Sequence, residues 1–204
     1  DWSSDVCSSD LVQVITFLGF RLDFVVGRIF PTQESLEVTM KRIRSLLRHR
    51  ACPVREAESL RGKLSSLEQA VPLGRLNFRA FQRVVTIALR KGRESSNVLR
   101  LTPNATQVLR WWLLPKNVTP GRPFVDPTPT LQIQTDASRR GWGAFFGDRT
   151  VGGTWSDNER HLHINVLEMR AVRNACQAWA ARLKSKAILC LIDNVTVVAY
   201  INRQ

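Results

Sequence analysis

Five prolines crowd the stretch PKNVTPGRPFVDPTPT, residues 115–130, and they limit what this chain can fold into more than any other feature. Proline has no amide hydrogen and a fixed φ, so prolines at such intervals fit neither a helix interior nor a central strand. Residues 116–130 therefore read as a linker, with a boundary between two bodies near residue 125. A chain of 204 residues is long enough for two modest domains, each with its own core.

Upstream of the linker the pattern is mostly helical. VQVITFLGFRLDFVVGRIFP reads as two strands around a turn near Asp23 to Gly27. After Pro31 and Thr32, apolar Leu36, Met40, Ile43 and Leu47 recur at helical steps. CPVREAESLRGKLSSLEQAVP predicts a second helix between Pro53 and Pro72, and LGRLNFRAFQRVVTIALRKG a third that ends at Gly92. In LTPNATQVLRWWLLP, Thr102 fits an N-cap with Pro103 at the first helical position. Trp111 and Trp112 fit core or interface positions better than base-stacking platforms.

Charge is concentrated in the same region. The formal net charge is +13, while the first ten residues are acidic and carry −3. A nucleic acid is the leading partner class for such an excess, with an acidic protein or a membrane surface as rivals. The first predicted helix carries Lys41, Arg42, Arg44 and Arg48 without interleaved acids, a pattern suited to phosphate contact as well as to a solvated face. No apolar run approaches the ~20 residues of a membrane span. Cys7, Cys52, Cys176 and Cys190 lack CxxC spacing, so they read as reduced thiols that fill core space. The opening DWSSDVCSSDL is Ser/Asp-rich and aperiodic; it looks like an assembly scar, so residues 1–11 are set aside from fold reasoning.

Downstream, the expected order is strand 131–136, strand 142–147, strand 149–155, helix 165–184, strand 187–193 and helix 195–203. Three strands followed by helix, strand and helix imply a mixed sheet with helices packed on it, an α/β (α+β) fold. Three carboxylates stand at telling places: Asp136 ends the first strand, Glu168 lies early in the long helix, and Asp193 ends the apolar AILCLID. Two strand-end carboxylates and one on a facing helix can converge on a point that suits Mg²⁺. Each also has a structural alternative. Asp136 can cap a strand-to-turn junction. Glu168 can complete a capping box with Asn165. Asp193 can cap the next helix, where Asn194 and Thr196 also fit. His161 and His163 read as loop histidines, with a phosphate-facing role as the alternative. Trp142 and Trp155 read as core, on the two sides of the hairpins.

The segments TDASRRGWGA, GGTWSDNERHLHINVLEMRAV and LIDNVTVVAYINRQ, in that order, resemble the ribonuclease H domain of reverse transcriptases. Within that family they are most similar to the DIRS-like group of tyrosine-recombinase retrotransposons. TFLGF resembles the strand that follows the polymerase palm and helps grip the primer. SLRGKLSSLEQAVPLGRLNFRAFQ resembles thumb helices, and VLRWWL the segment joining thumb to nuclease. The resemblance implies a palm end with primer-grip hairpin over 12–32 and a helical thumb and connection over 33–115. After the linker it implies a C-terminally truncated RNase H-like domain over 131–204. It makes Asp136, Glu168 and Asp193 the metal-binding catalytic carboxylates, with Mg²⁺ or Mn²⁺, two ions, as cofactor. It makes His163 a residue that positions the first turn of Glu168's helix.

For the intact parent the resemblance implies an RNA-directed DNA polymerase with ribonuclease H activity, found in cytoplasmic particles or the nucleus. RNA–DNA hybrid and primer–template duplex would be its partners. Arg139 and Arg140, with Lys41, Arg42, Arg44 and Arg48, are the expected nucleic-acid contacts. Two departures are expected to matter. No Asp-Asp pair of a polymerase site occurs in the sequence, and the family's fourth carboxylate lies beyond the YINRQ segment. The alternatives are a catalytically inactive nucleic-acid-binding module of RNase H fold, and a transposase or integrase relative.

Overall fold

The computed structural model describes residues 12–90 and 98–203. The Ser/Asp-rich residues 1–11, and Gly92 as a helix end, lie outside the described residues. The chain divides into two compact units, Asp1–Val125 and Asp126–Gln204.

Unit 1 begins with three antiparallel strands, β1 (Val14–Phe17), β2 (Phe20–Asp23) and β3 (Arg28–Pro31). The sequence reading expected two. An extra reversal occurs at Leu18 and Gly19, both in the left-handed region (φ 48° and 83°), a conformation glycine adopts without strain. The turn expected after Asp23 is held by its carboxylate, which accepts from the Val25 and Val26 amides. Arg21 pairs with the same carboxylate at 3.1 Å.

Helix α1 (Gln33–His49) starts where Thr32 Oγ1 accepts from the Ser35 amide. It buries Leu36, Thr39, Ile43 and Leu46. After β4 (Ala51–Pro53) comes α2 (Val54–Leu67), then α3 (Arg79–Arg90). The third helix starts six residues later than its apolar pattern suggests. Leu73 is left-handed at φ 60°, and Gly74 is packed so closely that a Cβ would lie 2.9 Å from the Val71 carbonyl oxygen and 3.1 Å from the Trp112 ring. Trp112 Nε1 donates to the Asn77 carbonyl at 3.0 Å, which ties this irregular segment to the core. Strand β5 (Val98–Arg100) pairs with β4, and α4 (Pro103–Trp112) is capped by Thr102, whose hydroxyl accepts from the Ala105 amide.

Within the proline-rich stretch the backbone still forms regular pieces. Helix α5 (Pro115–Val118) follows α4, and β6 (Arg122–Pro123) pairs with β3, completing a sheet of order β1-β2-β3-β6. Residues from α1 to α5, among them Ile43, Leu64, Phe81, Leu109 and Trp112, form one core in unit 1.

Unit 2 is a mixed sheet of order β10-β7-β8-β9 with helices. Its strands are β7 (Leu131–Ala137), β8 (Gly141–Phe146), β9 (Arg149–Thr154) and β10 (Ile188–Leu191). Only the β10–β7 pair is parallel. Residues 133, 135 and 137 of β7 are buried and 132, 134 and 136 exposed, the period-2 pattern of a sheet with one covered face. Helix α7 (Ile164–Ala178) packs against β7 and β8. A short helix α6 (Asp157–Arg160) precedes it, made by a capping box between Ser156 and Glu159. The long helix expected over 165–184 is interrupted at Trp179 (φ −111°, ψ 21°), beyond which α8 (Ala180–Leu183) continues. Trp179 turns its ring to Phe146, 5.5 Å away, and that packing accompanies the break. Helix α9 (Val195–Asn202) ends the described chain.

Trp142 and Trp155, read as lying on two sides of the hairpins, pack on one another with ring centroids 6.5 Å apart. Trp155 Nε1 donates to the Ser138 carbonyl, which draws its ring inward. Among the described residues no helix is long and apolar enough to cross a membrane.

Trp112 is 1 % exposed while Val25 is 66 % exposed. Trp112→Ala should cost about 3–5 kcal/mol, whereas Val25→Ala should stay within about 0.5 kcal/mol. Urea unfolding followed by circular dichroism measures both, and equal costs would contradict this packing.

Candidate metal centre

The three carboxylates come from three elements of unit 2. Asp136 is the last exposed residue of β7, one position before buried Ala137. Glu168 lies in the second turn of α7, with Leu167, Ala171 and Ala175 buried beside it. Asp193 follows β10, in the short loop before α9. Because β10 runs parallel to β7, with Leu191 opposite Gln134, both strands deliver their C-terminal ends to the same edge of the sheet. One carboxylate oxygen from each residue lies within 4.8 Å of the others.

The capping alternatives for Glu168 and Asp193 are answered by their neighbours. The N-cap of α7 is His163, whose Nδ1 accepts from the Asn165 amide, so Asn165 lies inside the helix and no capping box involves Glu168. The Asn165 side chain instead accepts from Asn194 Nδ2 at 3.0 Å, which ties α7 to the start of α9. Asn194 caps α9, its Oδ1 accepting from the Val197 amide. That leaves Asp193 free of the capping task. Asp136 and Asp193 are exposed, and Glu168 is buried.

Glu168 carries the strongest signal. It is 4 % exposed, and its Oε2 is buried without a hydrogen-bond partner. Burial pushes its carboxyl above the ordinary value, the charges of Asp193 and then Asp136 push it further, and a hydrogen bond from the Ala137 amide partly offsets them. Full negative charges 4–5 Å apart repel by about 3–4 kcal/mol per pair at an effective dielectric constant of 20. A divalent cation held by these three carboxylates would relieve both penalties, since it would neutralise their charge and give the orphan oxygen a partner. An all-carboxylate donor set fits Mg²⁺ or Mn²⁺ rather than softer metals.

The surface beside the site is open. Asp136 stands opposite Gly143, which stands opposite Gly152, so the row across β7, β8 and β9 carries one side chain and two hydrogens. A Cβ on Gly143 would meet nothing within 4 Å. Gly141 differs, because a Cβ there would lie 2.5 Å from the Gly153 carbonyl oxygen. Gly141 thus serves strand packing, and Gly143 leaves the face beside Asp136 bare.

The remaining expected site residues lie elsewhere. Arg139 and Arg140 are exposed in the turn after β7. The backbone of that turn is fixed by Ser138, whose hydroxyl accepts from the amides of Arg140 and Gly141. His161 and His163 are exposed, and His163 is spent on its cap. Lys41, Arg42, Arg44 and Arg48 are all exposed on α1 in unit 1, although Arg42 donates to Ser59 Oγ at 2.9 Å. The sequence reading missed the link from Glu159 to Arg170, which ties α6 to α7; the Ser156-to-Glu159 capping-box spacing was its visible sign.

No protein-family model matches the chain, and no curated protein matches its sequence. Solved structures with a similar chain path include three of a foamy viral protease-reverse transcriptase. In the complex with dsDNA, identity is 16 %, coverage is 93 % of this chain and 39 % of that chain, and the TM-score is 0.42. The form designated dRH, in complex with ds DNA, gives 16 %, 92 %, 32 % and 0.42. The complex with an RNA/DNA hybrid gives 14 %, 88 %, 24 % and 0.40. The chain thus spans well under half the length of these proteins, and the likeness is distant.

A carboxyl whose folded pKa is raised destabilises the fold as pH rises above its unfolded value, near 4.5 for Glu168. In metal-free buffer, Glu168→Gln should therefore raise the melting temperature at pH 7 and leave it unchanged below about pH 4, the lower edge of that window. Added Mn²⁺ should reverse the order, stabilising the parent protein by about 2.7 kcal/mol at a hundred times its dissociation constant while leaving the variant unmoved. Thermal melts at the two pH values, with and without Mn²⁺, measure all three effects.

Proposed function

We propose that unit 2 is a divalent-metal-dependent nuclease of RNase H type that hydrolyses the RNA strand of an RNA–DNA hybrid. One observation carries the reading: three carboxylates converge at one sheet edge, and one of them is buried with an oxygen that has no partner. The order of motifs around them supports it, as does the bare Gly143–Gly152 row on which a nucleic-acid backbone can lie beside Asp136.

Asp136, Glu168 and Asp193 are the residues that would hold the ions. Bound there, divalent ions supply the positive charge that makes water a nucleophile at neutral pH and stabilises the leaving 3′ oxygen. The chain's own residues do the positioning. Asn194 and Asn165 hold the loop that carries Asp193 against the helix that carries Glu168. His163 fixes the first turn of that helix. Buried Leu167 and Ala171 seat the same helix on the sheet and keep the Glu168 carboxylate out of bulk water. Arg139 and Arg140 contact phosphates, and the 2′-hydroxyl with the shape of the hybrid marks the RNA strand.

In the same proposal, residues 12–32 are the end of a palm with its primer-grip hairpin. Residues 33–115 are a thumb and connection, and 116–130 the linker to the nuclease. The parent is the reverse transcriptase of a DIRS-like retrotransposon, at work in cytoplasmic particles or the nucleus. Lys41, Arg42, Arg44 and Arg48 contribute salt-sensitive, sequence-independent phosphate contacts.

Incubating a hybrid labelled on both strands with Mg²⁺ or Mn²⁺ should give cleavage of the RNA strand alone, lost in Asp136→Asn. Gly143→Leu should cut turnover while leaving the Mn²⁺-induced thermal shift intact, since it fills the bare row and not the ion site. Cleavage of neither strand, with equal binding by parent and Asp136→Asn, would instead leave a nucleic-acid-binding module without nuclease activity.

A further inference from the structure

The sheet that opens unit 1 stands apart from that unit's hydrophobic core. Among the described residues the core is assembled between Leu36 and Val118 and takes none from β1, β2 or β3. The strand register sorts their side chains onto two faces. On one face Ile15, Leu22 and Ile29 form a row across the three strands, and Phe17, Phe20 and Pro31 form the next. The other face carries Arg21, Asp23 and Arg28, whose charges are engaged. Arg21 pairs with Asp23, and Arg28 donates to the carbonyls of Pro120 and Gly121. The apolar face is open towards β1, where Ile15 is 42 % and Phe17 60 % exposed.

Among the described residues β1 is also an edge strand, with β2 on one side only. The Phe24 amide donates to the Gln13 carbonyl. By the alternation of an antiparallel ladder, Gln13, Ile15 and Phe17 therefore turn their backbone groups to β2. Val14 and Thr16 turn theirs outward, to the free edge. Sheet edges are ordinarily blunted by a charge, a proline or a bulge. From Val12 to Phe20 there is neither a charge nor a proline, and β1 pairs with β2 residue for residue, without a bulge. Every residue from Val12 to Leu18 is exposed.

We propose that β1 pairs antiparallel with β1 of a second copy of this chain, centred on Thr16 against Thr16. The free amides and carbonyls of Val14 and Thr16 form the new ladder. This register sets Ile15 opposite the other copy's Phe17, and Phe17 opposite its Ile15, on the apolar face. Both apolar rows then run unbroken across the joined sheet, while the two threonines meet on the polar face, a favourable cross-strand pair. A second copy fits this edge better than a charged partner does. The chain carries +13, so an acidic protein would be drawn to its cations and not to an uncharged strand. Two copies meet here with no charge set against its like. Val12, Val14, Ile15, Phe17 and Leu18 are between 40 and 80 % exposed and offer roughly 500 Å² in each copy. Two copies thus bring together about 1,000 Å², the lower bound of a specific interface. The inference rests on neither the metal centre nor the nucleic-acid reading of the chain.

The test is sedimentation velocity on the whole chain, without nucleic acid or divalent metal, over roughly 1–200 µM. The parent should pass from monomer to dimer, and salt raised from about 0.1 to about 0.5 M should strengthen the dimer by screening two cationic copies. Thr16→Lys sets like charges face to face at the centre and should raise the dissociation constant about tenfold or more. Thr16→Pro removes an outward amide hydrogen that β2 does not use and should act the same way. Thr16→Lys alone carries the test if circular dichroism shows that the proline variant unfolds. Ile15→Lys and Phe17→Glu should each weaken the dimer, and the two mixed should associate with each other, because the register sets these positions opposite. A parent that stays monomeric throughout, or a dimer untouched by the Thr16 variants, would overturn the inference. So would a dimer kept in Thr16→Lys but lost in Leu22→Lys, which would place the contact on the apolar face of the sheet and not at its edge.

Discussion

Three carboxylates within 4.8 Å of one another repel, and a bound cation would relieve that repulsion. Unit 2 is arranged around that constraint. The parallel pairing of β10 with β7 brings two strand ends to one edge, and α7 lies across the sheet so that Glu168 meets them. The contact between Asn165 and Asn194 fastens the two elements that carry Glu168 and Asp193. Small residues at Ala137 and Ala171 let helix and strand approach, and an orphan oxygen on Glu168 is what the approach leaves. A buried carboxylate without a full set of partners is a poor stabilising device. Its presence makes sense when a cation completes it.

Parts of this arrangement were legible in the sequence because local chemistry and tertiary packing agree there. The β7 alternation, the apolar run of β10, the Thr102 cap with Pro103 and the amphipathic spacing of α1 each survive in the folded chain. The convergence of Asp136, Glu168 and Asp193 followed from their places in the element order, and the structure brings their oxygens together. Where the reading failed, long-range packing overrode the local pattern. The residues before α3 have helical spacing, but Trp112 occupies the space beside Gly74 and takes the Asn77 carbonyl. The capping box at Asn165 looked sound in sequence, yet His163 reaches the first free amide and Asn165 is drawn to Asn194. A two-residue reversal at Leu18 and Gly19 is short enough to hide inside one apolar run.

The two units divide the chemistry. Unit 1 holds most of the excess positive charge on a helical core sealed by residues such as Ile43, Phe81 and Trp112. Its cations differ in local setting: Arg42 is partly engaged by Ser59, while those of α3 stand unpaired among the described residues. Unit 2 holds the acidic site and a face stripped of side chains at Gly143 and Gly152. Basic helices suit sequence-independent affinity for a polyanion, and a clustered carboxylate centre suits a divalent metal, which is what the proposed function draws on.

The central claim, that the three carboxylates form a divalent-metal centre, is tested most directly by diffraction from crystals soaked in Mn²⁺ and measured for anomalous scattering. The account predicts one or two anomalous peaks within about 2.0–2.3 Å of oxygens from Asp136, Glu168 and Asp193, a range set by Mg²⁺-like and Ca²⁺-like oxygen coordination. Well-ordered carboxylates with no peak between them, while Mn²⁺ binds elsewhere on the protein, would contradict it.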